Sequence, residues 1–571
     1  MILKDFNCRC TRTSIRVSGY VFAISCAAVV STPTVAATRM VTSAACAQLV
    51  KLVIPAARIG LPTGGATVTN ASVTLMPRRH PGSAGSYCIT AGSIDPVDPT
   101  APKIEFQVAL PIAWNGKVVM LGGGGFDGSV PNVAGTALNM PADARTPLER
   151  GYAVFASDSG HQASVVDGAF LGNHEAYANW MGDALKKTRD AALVVTETAY
   201  GAAPTKSYFL GSSTGGREAL AVAARWPQDW NRVVALYPGR NVTVQILGML
   251  GSTQAFAAPG AFLSRAKRGI LHRAAIAACD GLDGAVDGVI SNVRRCDAEF
   301  DPSDARLNGV PIRCPGGNDT GDTCLSDSQI AALRKVGGAL TFNFPLANGQ
   351  TSYPGYDYLI SDSGDPSVSP LSIQLSMLAI GQRPAAFPIT PTMSLSAQLT
   401  DGFIRFAVTQ DRTFNQLSFN VSNPGAFANR LTELSALDIA DTNLTGFAAK
   451  GGKLLMMQGT EDLLVSARGT EDYYHRLRAT MGVAKVAAFV RYFEVPGFGH
   501  AVSKTFNVSW DQLTALENWA ENDVDPAKNQ IVSDTVGVPG RTRPLCLYPS
   551  WPMYKGFGAV DSAASFRCVA Q

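Results

Sequence analysis

Short apolar runs and helix-like segments alternate along this 571-residue chain from about residue 104 onward. Residues 104–110, 117–121 and 152–157 are apolar runs closed by Pro111, Gly122 and Asp158, the punctuation of buried strands. Residues 176–200 follow a helical period that puts Trp180, Leu185, Ala192 and Val195 on one face. A strand over 207–211, a helix over 215–225 and a strand over 232–237 come next. The beat resumes with a strand at 453–458, a helix at 467–480, a strand at 486–495 and a helix at 510–521. Such alternation predicts an α/β architecture, a mostly parallel sheet flanked by helices on both faces. Residues 240–448 interrupt it, being rich in Gly, Pro, Ser and Asn. A structureless stretch of that length would be improbable in a folded protein. The expected layout is a core of residues 38–239 and 449–571 with a large inserted lid domain at 240–448.

The sharpest local pattern is Gly211-Ser212-Ser213-Thr214-Gly215, set between a predicted strand and a predicted helix. G-x-S-x-G in that setting marks the nucleophile elbow of the α/β-hydrolase fold. The turn is so tight that only small residues fit two before and two after the serine. A serine hydroxyl is a weak nucleophile without a base, and on this fold the order is serine, acid, histidine. Only His272, His475 and His500 follow Ser213. His272 lies among Arg273 and alanines and His475 falls inside a predicted helix. His500 ends a tight Pro496-Gly497-Phe498-Gly499 loop after a strand, where the base belongs. Asp462, just past the strand at 453–458, is the candidate acid, with Glu461 the competitor; the acid must hold the imidazole tautomer and offset its charge. Gly122 to Gly125, after another strand, offer backbone for an oxyanion hole, with Thr214 N–H as one donor and Gly124 (or Gly123) N–H as the other.

Composition narrows the class. Hydrophobic residues make up 46% and charged residues 16%, which describes a well-buried globular protein. A net charge of +3 gives no basic footprint for nucleic acid. The first 37 residues read as an export signal. A basic stretch from Lys4 to Arg16 precedes an apolar run too short to span a bilayer, and Val35-Ala36-Ala37 offers small residues for cleavage. No later segment is long enough to span either, so a periplasmic or extracellular protein is expected. Eight cysteines lie beyond that signal, and an even count in an exported chain favours disulfides. Eight cysteines allow 105 connectivities. Short loops favour Cys279–Cys296, Cys314–Cys324 and Cys546–Cys568, which leaves Cys46–Cys88.

With these residues in hand, the chain resembles the tannase and feruloyl esterase family, which includes the hydrolase of mono(2-hydroxyethyl) terephthalate. The matching stretches run in order: Trp114-Asn115-Gly116, Ser157-Asp158-Ser159-Gly160-His161, Ser213-Thr214-Gly215-Gly216-Arg217-Glu218, Cys279-Asp280-Gly281-Leu282-Asp283-Gly284, and Arg543-Pro544-Leu545-Cys546 on to Phe566-Arg567-Cys568. The resemblance implies hydrolysis of small esters of aromatic acids: gallate, hydroxycinnamate or terephthalate. It also implies a structural Ca²⁺ held by Asp280, Asp283 and Asp287 with the carbonyls of Ala285 and Val289. From the residues alone, three acids at this spacing suit a hard cation but equally a solvated acidic loop. One departure stands out. Ser212 and Ala501 occupy the places of a cystine that the family carries beneath the site, so the Ser213 and His500 loops lack that covalent tie. Two rival readings are an exported binding protein on an inactive scaffold and a serine peptidase of the same fold.

Overall fold

Ten strands form one sheet, and its two halves differ in direction. In chain order they are β1 (Val53–Ile54), β2 (Gly65–Leu75), β3 (Ser86–Asp95), β4 (Ile104–Pro111), β5 (Lys117–Leu121), β6 (Ala153–Ser157), β7 (Lys206–Ser212), β8 (Arg232–Leu236), β9 (Lys453–Gly459) and β10 (Val490–Val495). Across the sheet they run β10-β9-β8-β7-β5-β6-β4-β3-β2-β1. Strands β5 to β10 pair in parallel, whereas β1 to β4 add antiparallel partners at one side. The sheet is therefore the mostly parallel one expected, five of its nine pairings being parallel, extended by antiparallel strands at one side. Three of the antiparallel strands precede residue 104, among them β2, which is half-exposed and reads as alternating Thr, Val and Asn rather than as a buried run. This computed structural model describes residues 39–77, 85–357, 359–361 and 380–570, so the expected export signal at 1–37 lies outside the described residues.

The central strands are buried on both faces because helices cover them. Helices α1 (Ala184–Tyr200), α2 (Thr214–Arg225), α3 (Val242–Ala257), α4 (Arg265–Cys279), α5 (Leu395–Gly402), α6 (Ala467–Met481) and α7 (Gln512–Asn522) position the site. Two predicted elements need correction. The helix expected over 176–200 is broken at Gly182, whose φ of 141° only glycine adopts without strain. The break sends Trp180 into the apolar cluster of the inserted segment, while Leu185, Ala192 and Val195 pack under the sheet. The strand expected over 486–495 begins at Val490. Before it, Val483–Phe489 is helical, with Val486 and Phe489 buried one turn apart.

The segment between β8 and β9 carries its own apolar cluster around α3. That helix is apolar on nearly every side, and Val242, Ile246, Leu247, Met249, Leu250 and Phe256 are all buried. Phe126, Phe170 and Trp180 join this cluster from outside the segment. Edge-on ring contacts at 5.2–6.1 Å link those three rings. The eight cysteines beyond residue 37 form four disulfides: Cys46–Cys88, Cys279–Cys296, Cys314–Cys324 and Cys546–Cys568.

Candidate active site

Ser213 occupies the one-residue turn between β7 and α2 at φ 59°, ψ −120°, a conformation a serine adopts only where its surroundings enforce it. The enforcement is steric. A methyl on Gly211 would lie 2.0 Å from the Gly215 carbonyl oxygen, and one on Gly215 would lie 3.0 Å from the Gly122 carbonyl carbon. Larger residues would push the turn open.

His500 lies in the loop after β10. Its Nε2 is 2.9 Å from Ser213 Oγ and its Nδ1 is 2.8 Å from Asp462 Oδ2. Asp462 follows β9 and is fully supported. Its Oδ1 accepts the N–H groups of Leu464 at 2.9 Å and Val465 at 2.8 Å, and Gln458 Nε2 donates to Oδ2 at 3.1 Å. Glu461 turns elsewhere, accepting from the Thr505 hydroxyl at 3.3 Å. His475 sits on α6 with its Nε2 2.9 Å from the Tyr548 hydroxyl, and His272 sits on α4; neither joins Ser213.

At the positions of Ser212 and Ala501 a hydrogen-bonded link does the tying. The Tyr237 hydroxyl donates to Asn139 Oδ1 at 2.7 Å, and Asn139 Nδ2 donates to the carbonyls of Ala501 at 3.1 Å and Val508 at 3.2 Å. The Tyr237 ring lies edge-on to His500 at 4.9 Å. One amide thus couples the end of β8 to the histidine loop. Sequence reading missed Asn139; its one faint signal is an Asn at a left-handed position, φ 60°, in a Gly- and Pro-rich loop.

The glycine loop is held from below. Gly122 N–H donates to Leu210 O at 3.0 Å, and Gly215 N–H donates to Gly123 O at 3.1 Å. Gly123 N–H is committed to Glu218 Oε2 at 3.2 Å, so it is not available to a substrate. Among the described residues no acceptor takes the N–H of Gly124 or of Thr214, the first residue of α2. These two donors flank a cleft of about 300 Å³ that also reaches Ser213 and His500. Phe126, Trp180, Ile246, Met249, Leu399 and Val465 line it, and Gln245 is its one amide, anchored through Nε2 to Leu464 O at 3.0 Å. Apart from His500, no titratable side chain lines the cleft among the described residues.

The acidic loop after α4 is a separate place. Asp280 accepts the N–H groups of Asp287 and Gly288, Asp283 Oδ1 accepts Ala285 N–H, and Asp287 Oδ1 accepts Val289 N–H. Asp287 Oδ2 pairs with Arg543. Burial, with Asp287 and Asp280 adding to it, pushes the Asp283 carboxyl up to about 6. Its Oδ2 is buried with no partner, and no hydrogen bond reaches the carbonyl oxygens of Ala285 or Val289 among the described residues. No three acidic, histidine or cysteine side chains converge to cage a cation by themselves there, so carbonyl oxygens would have to complete a shell. The unclaimed donors are all oxygen, which suits Ca²⁺.

Sheet, elbow and the Ser213–His500–Asp462 relay define an α/β-hydrolase. The tannase and feruloyl esterase family model matches residues 88–569. An uncharacterized esterase of Agrobacterium fabrum is 36% identical over 542 residues, covering 92% of this chain and 93% of the relative. The mono(2-hydroxyethyl) terephthalate hydrolase of Piscinibacter sakaiensis is 30% identical over 534 residues, with 85% of each chain covered. The crystal structure of feruloyl esterase B from Aspergillus oryzae shares the fold, with TM-score 0.71 at 22% identity, over 92% of this chain and 100% of that one. The chain belongs to the tannase and feruloyl esterase family and is a carboxylic ester hydrolase.

Proposed function

We propose that this protein is an exported serine esterase that hydrolyses esters of aromatic acids through an acyl-enzyme on Ser213. The observation that carries this is the relay at 2.9 and 2.8 Å opening onto an apolar, aromatic-lined cleft. As the Ser213 hydroxyl attacks the ester carbonyl, His500 Nε2 takes its proton and Asp462 offsets the imidazolium. The N–H groups of Gly124 and Thr214 receive the negative charge that develops on the carbonyl oxygen. His500 then protonates the departing alcohol, and water, deprotonated by the same histidine, releases the acid.

The cleft argues for an uncharged aromatic acyl group. Trp180 and Phe126 give the cleft an aromatic wall, and Gln245 offers a polar contact for a ring hydroxyl. A free carboxylate at the far end of the acyl group would meet no cation among the described lining residues. Methyl ferulate and methyl gallate should therefore be turned over faster than a terephthalate monoester. A panel of p-nitrophenyl acetate, these three esters and a peptide anilide tests the reading. Inertness toward all esters would leave the binding-protein alternative, and turnover of the anilide alone would leave the peptidase.

Export is supported by the four disulfides, and among the described residues no helix is long and apolar enough to cross a membrane. Ca²⁺ would be held by Asp280, Asp283 and Asp287 with the carbonyls of Ala285 and Val289. Its contribution there is charge neutralisation within the inserted segment, with no part in the reaction at Ser213.

A further inference from the structure

Two carboxyls that the proposed reaction does not use lie directly beneath the glycine loop. Asp127 and Glu218 are each 2% exposed. Glu218, on the second turn of α2, accepts Gly123 N–H at 3.2 Å, and Asp127 donates its own N–H to Gly124 O at 2.8 Å. The carboxyls fill the space under the loop. A methyl on Gly123 would lie 2.1 Å from Asp127 Oδ2, and one on Gly122 would lie 2.8 Å from Glu218 Oε2. The two carboxyls thus fill adjacent places beneath Gly122 and Gly123.

The groups facing this pair are few. Arg217 is the nearby cation, with its guanidinium 4.5 Å over the Trp180 ring and Nη2 donating to Trp180 O at 2.8 Å. The Ser159 hydroxyl donates to Asp158 O at 2.7 Å, and His161 Nε2 is 2.7 Å from Phe126 O, in the peptide just before Asp127. Burial raises both carboxyls. Asp127 is raised further, by burial first and then by the charge of Glu218, while Arg217 acts in the opposite sense. Gly123 N–H donates to Glu218, and Arg217 offsets charge on the pair.

We propose that Asp127 and Glu218 are positioning residues for the oxyanion hole: their buried carboxyls, packed under Gly122 and Gly123 with Glu218 holding the Gly123 N–H, fix the Gly122–Gly124 backbone so that Gly124 N–H faces the developing oxyanion. The inference rests on Ser213 being the nucleophile. An oxyanion donor acts chiefly in the transition state, so misplacing it lowers kcat more than it changes KM.

The experiment counts active serines with a fluorophosphonate and measures kcat per labelled serine on p-nitrophenyl acetate. Glu218→Ala should lower kcat per labelled serine about 10²-fold, with KM held within about threefold. Glu218→Gln and Asp127→Asn retain an amide donor and an acceptor for the pair, and should stay within about threefold of the parent in kcat. If Glu218→Ala does not fold, Asp127→Ser, too short to reach Glu218, carries the same comparison. A pair that serves stability alone would reduce the labelled fraction and the melting temperature while leaving kcat per labelled serine unchanged. That result would overturn the inference, as would amide variants that fall as far as the truncated one. A parent that fluorophosphonate does not label at Ser213 would overturn the serine reading itself, and the inference with it.

Discussion

Asp462 and the loop from Asp280 to Val289 are both places where carboxylates are taken out of water, and they are finished differently. Asp462 stands alone, with two backbone N–H groups, an amide and His500 all directed at its two oxygens. The loop carries three aspartates within eight residues, leaves Asp283 Oδ2 without a partner and pairs one carboxylate, that of Asp287, with Arg543. The difference separates two tasks. A charge that must be present throughout a reaction is completed by the protein itself, whereas a crowd of charges with open oxygens is suited to an ion from outside. Chemistry should therefore depend on the first region and stability on the second.

The largest effect expected is on chemistry. Ser213→Ala should lower ester turnover by roughly 10³-fold or more, with the melting curve and its response to calcium unchanged. Ordinary turnover in that variant would end the assignment of the nucleophile. On the other side of the comparison, chelation should destabilise the protein by about 2.7 kcal/mol where calcium had stood at about a hundredfold its dissociation constant. Calorimetry with and without chelator, and on Asp283→Ala, checks this. A melting curve that chelator leaves in place, with no calcium by elemental analysis, would mean the loop is only a solvated turn.

An intermediate effect is expected at Asn139, whose amide spans from Tyr237 to the histidine loop. Asn139→Leu should cost about 2 kcal/mol, since it leaves a buried hydroxyl and a carbonyl unpaired, and should lower turnover as His500 loses its tether. A double substitution of Ser212 and Ala501 to cysteine, if it bonds, should return part of that loss. The smallest change is expected from His475→Ala. It loses one contact to Tyr548, about 1 kcal/mol, and turnover should match the parent because His475 is remote from Ser213.

What the sequence made legible follows from how local each determinant is. Ser213, with glycines two residues to either side, is readable because the elbow's sterics act within five residues. His500 and Asp462 were readable from chain order and from the loops that end their strands. The broken helix at Gly182 was hidden because apolar spacing continues across it, and β2 and β3 were hidden because their pattern is half-polar. Asn139, Asp127 and Glu218 could not be read as a site, because their roles exist only once distant strands have brought them beside the loop and the histidine.

The pairing of Arg543 with Asp287 sets a timetable for assembly. The two residues are 256 positions apart, and Arg541 joins them by donating to the Asp287 carbonyl at 2.9 Å. A newly made chain cannot finish the acidic turn while it is being synthesised. Its pairing must wait until most of the hydrolase core has been delivered. Completion of this loop is then a late event in the making of the chain, after the residues of the elbow and of the histidine loop.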